Sequence, residues 1–266
     1  MNTLRHFVLW LDVPIENVTN KKLLAYIDYL RAKRLSAKTI NCHLDSIRGF
    51  YHYLCDEEDV ALANPVRRGY AVKLSKPLPR YLRDEEVVIL FKAMRGKRDR
   101  SMFKLMLRSG LRVEEVANLT LTSIDVKRRR IFVAHGKGAK DRVVCVSDDA
   151  LKALGEYLTV RPPSRARKVF LVEKGPCRGK PISVRGIQKR IEYYAKKTGL
   201  KVSSHHLRHT MATQLLNAEA PLVSIQDLLG HSRIATTQRY CKVSNIKVQR
   251  DYFKAMEIVA ARTAAL

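Results

Sequence analysis

Arg112, Lys137, His205-His206-Leu207-Arg208, Gly230-His231 and Tyr240 occur in that order within the last 155 residues of a 266-residue chain. Together these residue types suit a phosphodiester. Breaking one requires a nucleophile, charge stabilisation on two nonbridging oxygens, and a proton for the leaving oxygen. Guanidinium groups supply planar, bidentate donors that stay charged at any working pH. Arg112 opens a helix after Ser109-Gly110-Leu111, so its guanidinium and the first helical amides can face one anion. His205 and Arg208 stand three apart on a second helix and share a face. A phenol with a pKa of about 10 attacks only with basic or cationic help, and Tyr240 follows His231 by nine residues. Alone, Arg112 reads as a surface charge and any of the 11 tyrosines as packing. The histidines lack a carboxylate or thiolate at ligand spacing, so no metal is expected there.

The elements that must position these groups are legible as periodicity. Residues 21–33 carry Leu23, Leu24, Ile27 and Leu30, and residues 36–55 carry Ile40, Leu44, Ile47, Tyr51 and Leu54, both at helical spacing. Thr19 or Asn20, and then Ser36, suit their N-caps. With Met1–Trp10 as the tail of another helix, this is a small all-helical unit. Periodicity fails from Ala63-Asn64-Pro65 to about Arg83, where Pro65, Pro77 and Pro79 sit among basic residues including Lys76 and Arg80. That composition reads as an extended linker. Helical patterns resume at 84–95, 100–109 and 112–118, and return at 148–159, 183–197, 206–217, 222–229 and 233–240. Arg130–Ala134 and Arg142–Val146 flank His135-Gly136-Lys137-Gly138, which predicts a β-hairpin. An amphipathic segment, 246–261, follows. The fold class is mainly α with a small antiparallel β-sheet.

Charge narrows the partner. The chain has 51 Lys+Arg against 25 Asp+Glu, a net of +26, which points first to nucleic acid and second to an anionic membrane surface. Residues 1–79 hold 12 basic and 8 acidic residues, leaving 39 and 17 for residues 80–266. The second part is therefore the main electrostatic surface. Cys42, Cys55, Cys145, Cys177 and Cys241 form an odd set without CxxC spacing and read as free thiols in a reducing compartment. No apolar run approaches membrane-spanning length and no signal-peptide shape opens the chain, so a cytoplasmic protein is expected.

Ser109-Gly110-Leu111-Arg112-Val113-Glu114-Glu115, Gly136-Lys137-Gly138, His205-His206-Leu207-Arg208-His209, Leu229-Gly230-His231-Ser232 and Thr236-Thr237-Gln238-Arg239-Tyr240 resemble the motif boxes of tyrosine site-specific recombinases. The resemblance covers about residues 80–245, and the helical unit before it looks like their core-binding domain. It implies a two-domain DNA clamp: 1–75 the N-terminal helical domain, 76–83 the linker, and 84–266 the catalytic domain with a C-terminal tail helix. In this likeness Tyr240 attacks the scissile phosphate to form a 3′-phosphotyrosyl link and free a 5′-hydroxyl. Arg112 and Arg208 clamp the nonbridging oxygens, and Lys137 protonates the leaving 5′-oxygen. His205 and His231 assist with proton transfer and hydrogen bonding, while Glu115 orients the site. Lys140, three residues past Lys137, and nearby Arg142 are the alternatives for that acid; the Gly136-Lys137 pairing favours Lys137, so Lys140, Arg142, Lys76 and Arg80 are expected on the DNA backbone. No cofactor is implied, because the phosphotyrosine stores the bond energy for rejoining.

The same likeness implies double-stranded DNA with a specific core site, a synaptic tetramer, and room for an accessory or partner recombinase. The tail at 246–261 packs either on its own domain or into a neighbouring protomer. Two departures stand out. The first helix is short for the family, which implies a truncated start or a small clamp. Arg83 replaces the usual polar cap near residue 84, leaving the capping role to Asp84. Two other readings share the residues: a type IB topoisomerase that relaxes DNA without site choice, and a catalytically silent DNA-binding protein.

Overall fold

A computed structural model describes residues 3–58, 60, 62–74, 79–134, 141–230, 236–238, 252–253 and 256. Lys76, Lys137, Lys140, His231 and Tyr240 lie outside the described residues, as do most of the expected helices at 233–240 and 246–261. The chain divides into two compact units, Met1–Pro77 and Leu78–Leu266.

The first unit is built from α1 (Thr3–Trp10), α2 (Asn20–Ala32) and α3 (Ala37–Asp56). The two later helices start where their caps require. The Thr19 hydroxyl accepts from the Lys22 amide at 3.3 Å and the Ser36 hydroxyl from the Thr39 amide at 3.1 Å, each satisfying one orphan donor of a first turn. Phe7, Leu23, Tyr26, Ile27, Leu30, Ile40, Leu44 and Tyr51 fill the core. Leu24, placed with the core by its spacing, is 45% exposed, and Tyr26 takes the inward position instead. Part of the expected linker is not extended. A 3-10 turn at Arg68–Tyr70 interrupts it, and Val66 is buried in the core of this unit. The Asn41 side chain donates to the Val72 carbonyl at 2.9 Å and accepts from its amide at 2.8 Å. One amide side chain thus replaces both backbone partners that a strand would supply, and holds aperiodic chain in place.

In the second unit the central element is α5 (Lys97–Ser109), which packs against α7 (Asp148–Leu158) and α9 (Ser204–Asn217). Met102, Phe103, Leu105, Met106 and Leu107 are all buried. Two of its first-turn charges, Arg98 and Asp99, are inside as well: Asp99 accepts from Arg98, from Arg190 and from the Tyr194 hydroxyl, so its burial leaves no unpaired charge. Around it stand α4 (Asp84–Ala93), α6 (Val113–Asn118), α8 (Val184–Thr198) and α10 (Leu222–Leu229). Asp84 does not cap α4. The Glu86 carboxylate accepts from the Arg83 amide at 2.8 Å and satisfies that helix start from inside, while Asp84 accepts from Gln214 at 2.6 Å.

The expected hairpin is present as β2 (Arg130–Val133) and β3 (Arg142–Cys145), antiparallel with Val133 opposite Arg142 and Ile131 opposite Val144. A two-residue strand, β1 (Ile124–Asp125), adds to its outer edge. Ile131, Val133 and Val144 face the core, whereas Phe132 and Val143 are about half exposed on the other side. That is the two-residue alternation of a sheet with one buried face. Among the described residues no helix is long and apolar enough to cross a membrane.

Candidate active site

Two glycines create the geometry in which the site's cations meet. Gly110 ends α5 at φ +61°, in the left-handed region. A Cβ there would stand 2.8 Å from Met211 Sδ and 3.1 Å from Leu229 Cδ2. The position therefore needs glycine for both conformation and space. Gly230 ends α10 at φ +59°, where a Cβ would meet Arg142 Cδ at 2.9 Å. These close approaches bring the α5–α6 corner, the start of α9 and the end of α10 together.

Arg208, on the second turn of α9, is buried. Its guanidinium donates to the Gly110 carbonyl through Nη1 and to the Leu229 carbonyl through Nη2. Arg112 sits at the N-cap position of α6, and its Nη2 reaches the same Leu229 oxygen at 3.5 Å. The structure thus brings these two arginines onto one backbone oxygen, the last carbonyl of α10. His205, two residues into α9, is exposed. His206 Nδ1 lies 3.2 Å from the Lys201 carbonyl. Burial pushes the His206 imidazole below its ordinary value; the Lys201 carbonyl opposes this, while the charges of Arg80 and His205 add to it. Arg80 is thereby placed beside the start of α9.

Glu115 is the anionic centre of the site and is 8% exposed. Its Oε2 accepts from the Arg112 amide at 2.7 Å and its Oε1 from Arg112 Nη1 at 2.9 Å. Arg142 binds the same carboxylate bidentately, Nη1 to Oε1 at 2.7 Å and Nη2 to Oε2 at 2.8 Å. Burial pushes the carboxyl up. The hydrogen bonds and charges of Arg142 and Arg112 outweigh it and hold the group down at about 2. Arg142, read from the sequence as a backbone contact, therefore has both terminal nitrogens on Glu115. The pairing was legible in part. Arg142 alternates with Val144 and Val146, both buried, so strand periodicity turns it inward.

Two other contributors carried no sequence signal. The Leu229 carbonyl is backbone, and no residue type marks it. A cleft lined by Arg112, Glu115, Asn118, Thr120, Phe132 and Lys168 opens beside α6, and it is assembled from segments far apart in the chain. Thr236–Gln238 are helical and Thr237 is buried, three residues before Tyr240.

Paired guanidiniums around a carbonyl hub, carried on a mainly helical unit with a three-stranded sheet, define a site able to hold an oxyanion. The comparisons give that class its family. Residues 80–246 match the phage integrase family and residues 1–58 the phage integrase N-terminal SAM-like domain. The tyrosine recombinase XerC of Pelotomaculum thermopropionicum is 36% identical over 242 residues, covering 86% of this chain and 78% of that protein. The crystal structure of XerA recombinase superposes with a TM-score of 0.61 at 26% identity, covering 95% of this chain and 89% of the other. A XerH site-specific recombinase, bound to palindromic difH substrate in a post-cleavage complex, gives a TM-score of 0.76 at 19% identity over 94% and 76%. This chain belongs to the phage integrase family: it is a tyrosine recombinase, an enzyme of site-specific recombination through a phosphotyrosine intermediate. The topoisomerase and catalytically silent readings are not favoured.

Proposed function

We propose that the chain cuts and rejoins double-stranded DNA at a specific core site, with Tyr240 as the nucleophile. The phenol oxygen bonds to the scissile phosphorus as its proton passes to the imidazoles of His205 and His231, the bond to the 5′-oxygen breaks, and Lys137 gives that oxygen its proton. A 3′-phosphotyrosyl link and a free 5′-hydroxyl result. Attack by a 5′-hydroxyl from the partner strand reverses the step and returns the proton. Arg112 and Arg208 hold the nonbridging oxygens, His205 and His231 hydrogen-bond and relay protons, and Glu115 orients Arg112. Lys76, Arg80 and Lys140 lie along the DNA backbone, and four protomers act on two sites, with an accessory or partner recombinase where the system uses one.

The observation that supports this reading best is the meeting of Arg112 and Arg208 at the Leu229 carbonyl. Gly230, the next residue, leads directly to His231. Incubation with a nicked suicide substrate should trap a protein–DNA adduct that Tyr240→Phe abolishes. An adduct surviving that change would assign the nucleophile elsewhere. Lys137→Ala should slow cleavage by about 10²–10⁴-fold, the usual range for a lost general acid. A 5′-thio leaving group, which needs no acid, should restore most of that rate. Failure to restore it would remove Lys137 from the role.

A further inference from the structure

We infer that Arg142 is a positioning residue for strand transfer, fixing Arg112 through their shared carboxylate and the end of α10 through its contact with Gly230. The inference rests on the reading in which Arg112 and His231 act at the phosphate.

Each oxygen of Glu115 takes one bond from each arginine: Oε1 from Nη1 of both, Oε2 from the Arg112 amide and from Arg142 Nη2. Without Arg142 the carboxylate would be held only by Arg112 and free to swing with it. With Arg142 it is anchored to β3, across the sheet from Val133. Charge gives a second reason. Glu115 alone would cancel Arg112 and weaken its pull on a phosphate, whereas two arginines around one carboxylate leave the cluster at net +1. The side chain of Arg142 is only 11% exposed, and both terminal nitrogens are engaged, so it is poorly placed to meet a DNA backbone directly.

The same side chain reaches α10. Gly230 favours glycine beside it, because its φ is +59° and a Cβ would stand 2.9 Å from Arg142 Cδ and 3.3 Å from Nε, so that the Arg142 side chain would have to shift. Nε is buried there and has no hydrogen-bond partner among the described residues. One residue of β3 therefore touches both the carboxylate that aims Arg112 and the turn that leads into His231. β3 is also the strand that follows the segment carrying Lys137, so Arg142 ties three of the proposed catalytic groups to one framework.

The test is single-turnover cleavage of the nicked suicide substrate by the full chain, with the saturating rate and DNA affinity measured separately. Arg142→Gln should lower the saturating rate at least about tenfold while leaving affinity and its salt dependence unchanged. Arg142→Lys, which keeps the charge but loses the bidentate fork, should recover only part of the rate. In a Glu115→Gln background, Arg142→Gln should cost clearly less than it does in the wild type, because the carboxylate route is already lost and only the contact with Gly230 remains. The acid limb of the rate profile should move to higher pH in Arg142→Gln, since Glu115 loses one of its two arginines.

A wild-type saturating rate in Arg142→Gln would overturn the inference. So would weaker binding with a salt slope reduced by about 1, the signature of a direct phosphate contact. Should Arg142→Gln fail to fold by circular dichroism, Arg142→Lys decides alone, and a wild-type rate there overturns the inference equally. Tyr240→Phe run alongside keeps the two ideas apart: an adduct surviving in that variant refutes the underlying reading, whatever Arg142 does.

Discussion

At the scale of single residues, Glu115 connects the site's electrostatics to the stability of the fold. Its folded value of about 2, against an ordinary 4.5, is a depression. The stabilisation it brings is therefore complete above about pH 4.5 and disappears as pH falls towards 2. That shift corresponds to an order of 3 kcal/mol. Glu115→Gln should thus cost about 3 kcal/mol in urea unfolding at pH 7, and the difference from wild type should narrow at pH 3. A difference that stays constant between those conditions would show that the carboxylate is not held by its arginines. Residue types were readable in the sequence here: Arg112 and Arg208 announce an anion and Glu115 stands within one helical turn of Arg112. The bond from Arg142 to Glu115 spans 27 residues and no local pattern encodes it; only the strand alternation hints that Arg142 faces inward.

Among elements, the helices were legible because their apolar spacing and their caps agree, as at Thr19 and Ser36. The start of α4 was not, because its cap comes from Glu86 within the helix rather than from the residue before it. The strand β1 is two residues long and too short for alternation to register. The stretch around Val72 reads as free linker because the side chain of Asn41, not a ladder, binds it. Glycines separate the two kinds of position clearly. Gly110→Ala should destabilise the fold by more than about 1 kcal/mol, since it meets both the left-handed backbone and Met211 Sδ at 2.8 Å. Gly155→Ala lies within α7 with nothing within 4 Å of the new Cβ, and should stabilise by roughly 0.5–1 kcal/mol. Thermal unfolding of both variants checks the pair: equal effects would contradict the role given to Gly110.

For the whole molecule, charge and motif order carried more of the function than the elements did. A net of +26 calls for a polyanion, and the order of the motif boxes narrows that polyanion's chemistry to strand transfer. What a sequence does not contain is the convergence: α5, α9 and α10 meet at two carbonyls through glycines far apart in the chain. If six to ten phosphates are contacted, affinity for DNA should fall roughly 10³–10⁵-fold between 50 and 200 mM salt, as filter binding or fluorescence anisotropy would record. A flat dependence would deny the basic surface its role. In the proposed reaction Tyr240 carries the DNA between cleavage and rejoining. Mass spectrometry of the adduct trapped on a nicked suicide substrate tests it most directly. The predicted result is a peptide bearing a 3′-phosphonucleotide on Tyr240, with a free 5′-hydroxyl on the released strand; a link at another residue, or to a 5′-phosphate, would contradict it.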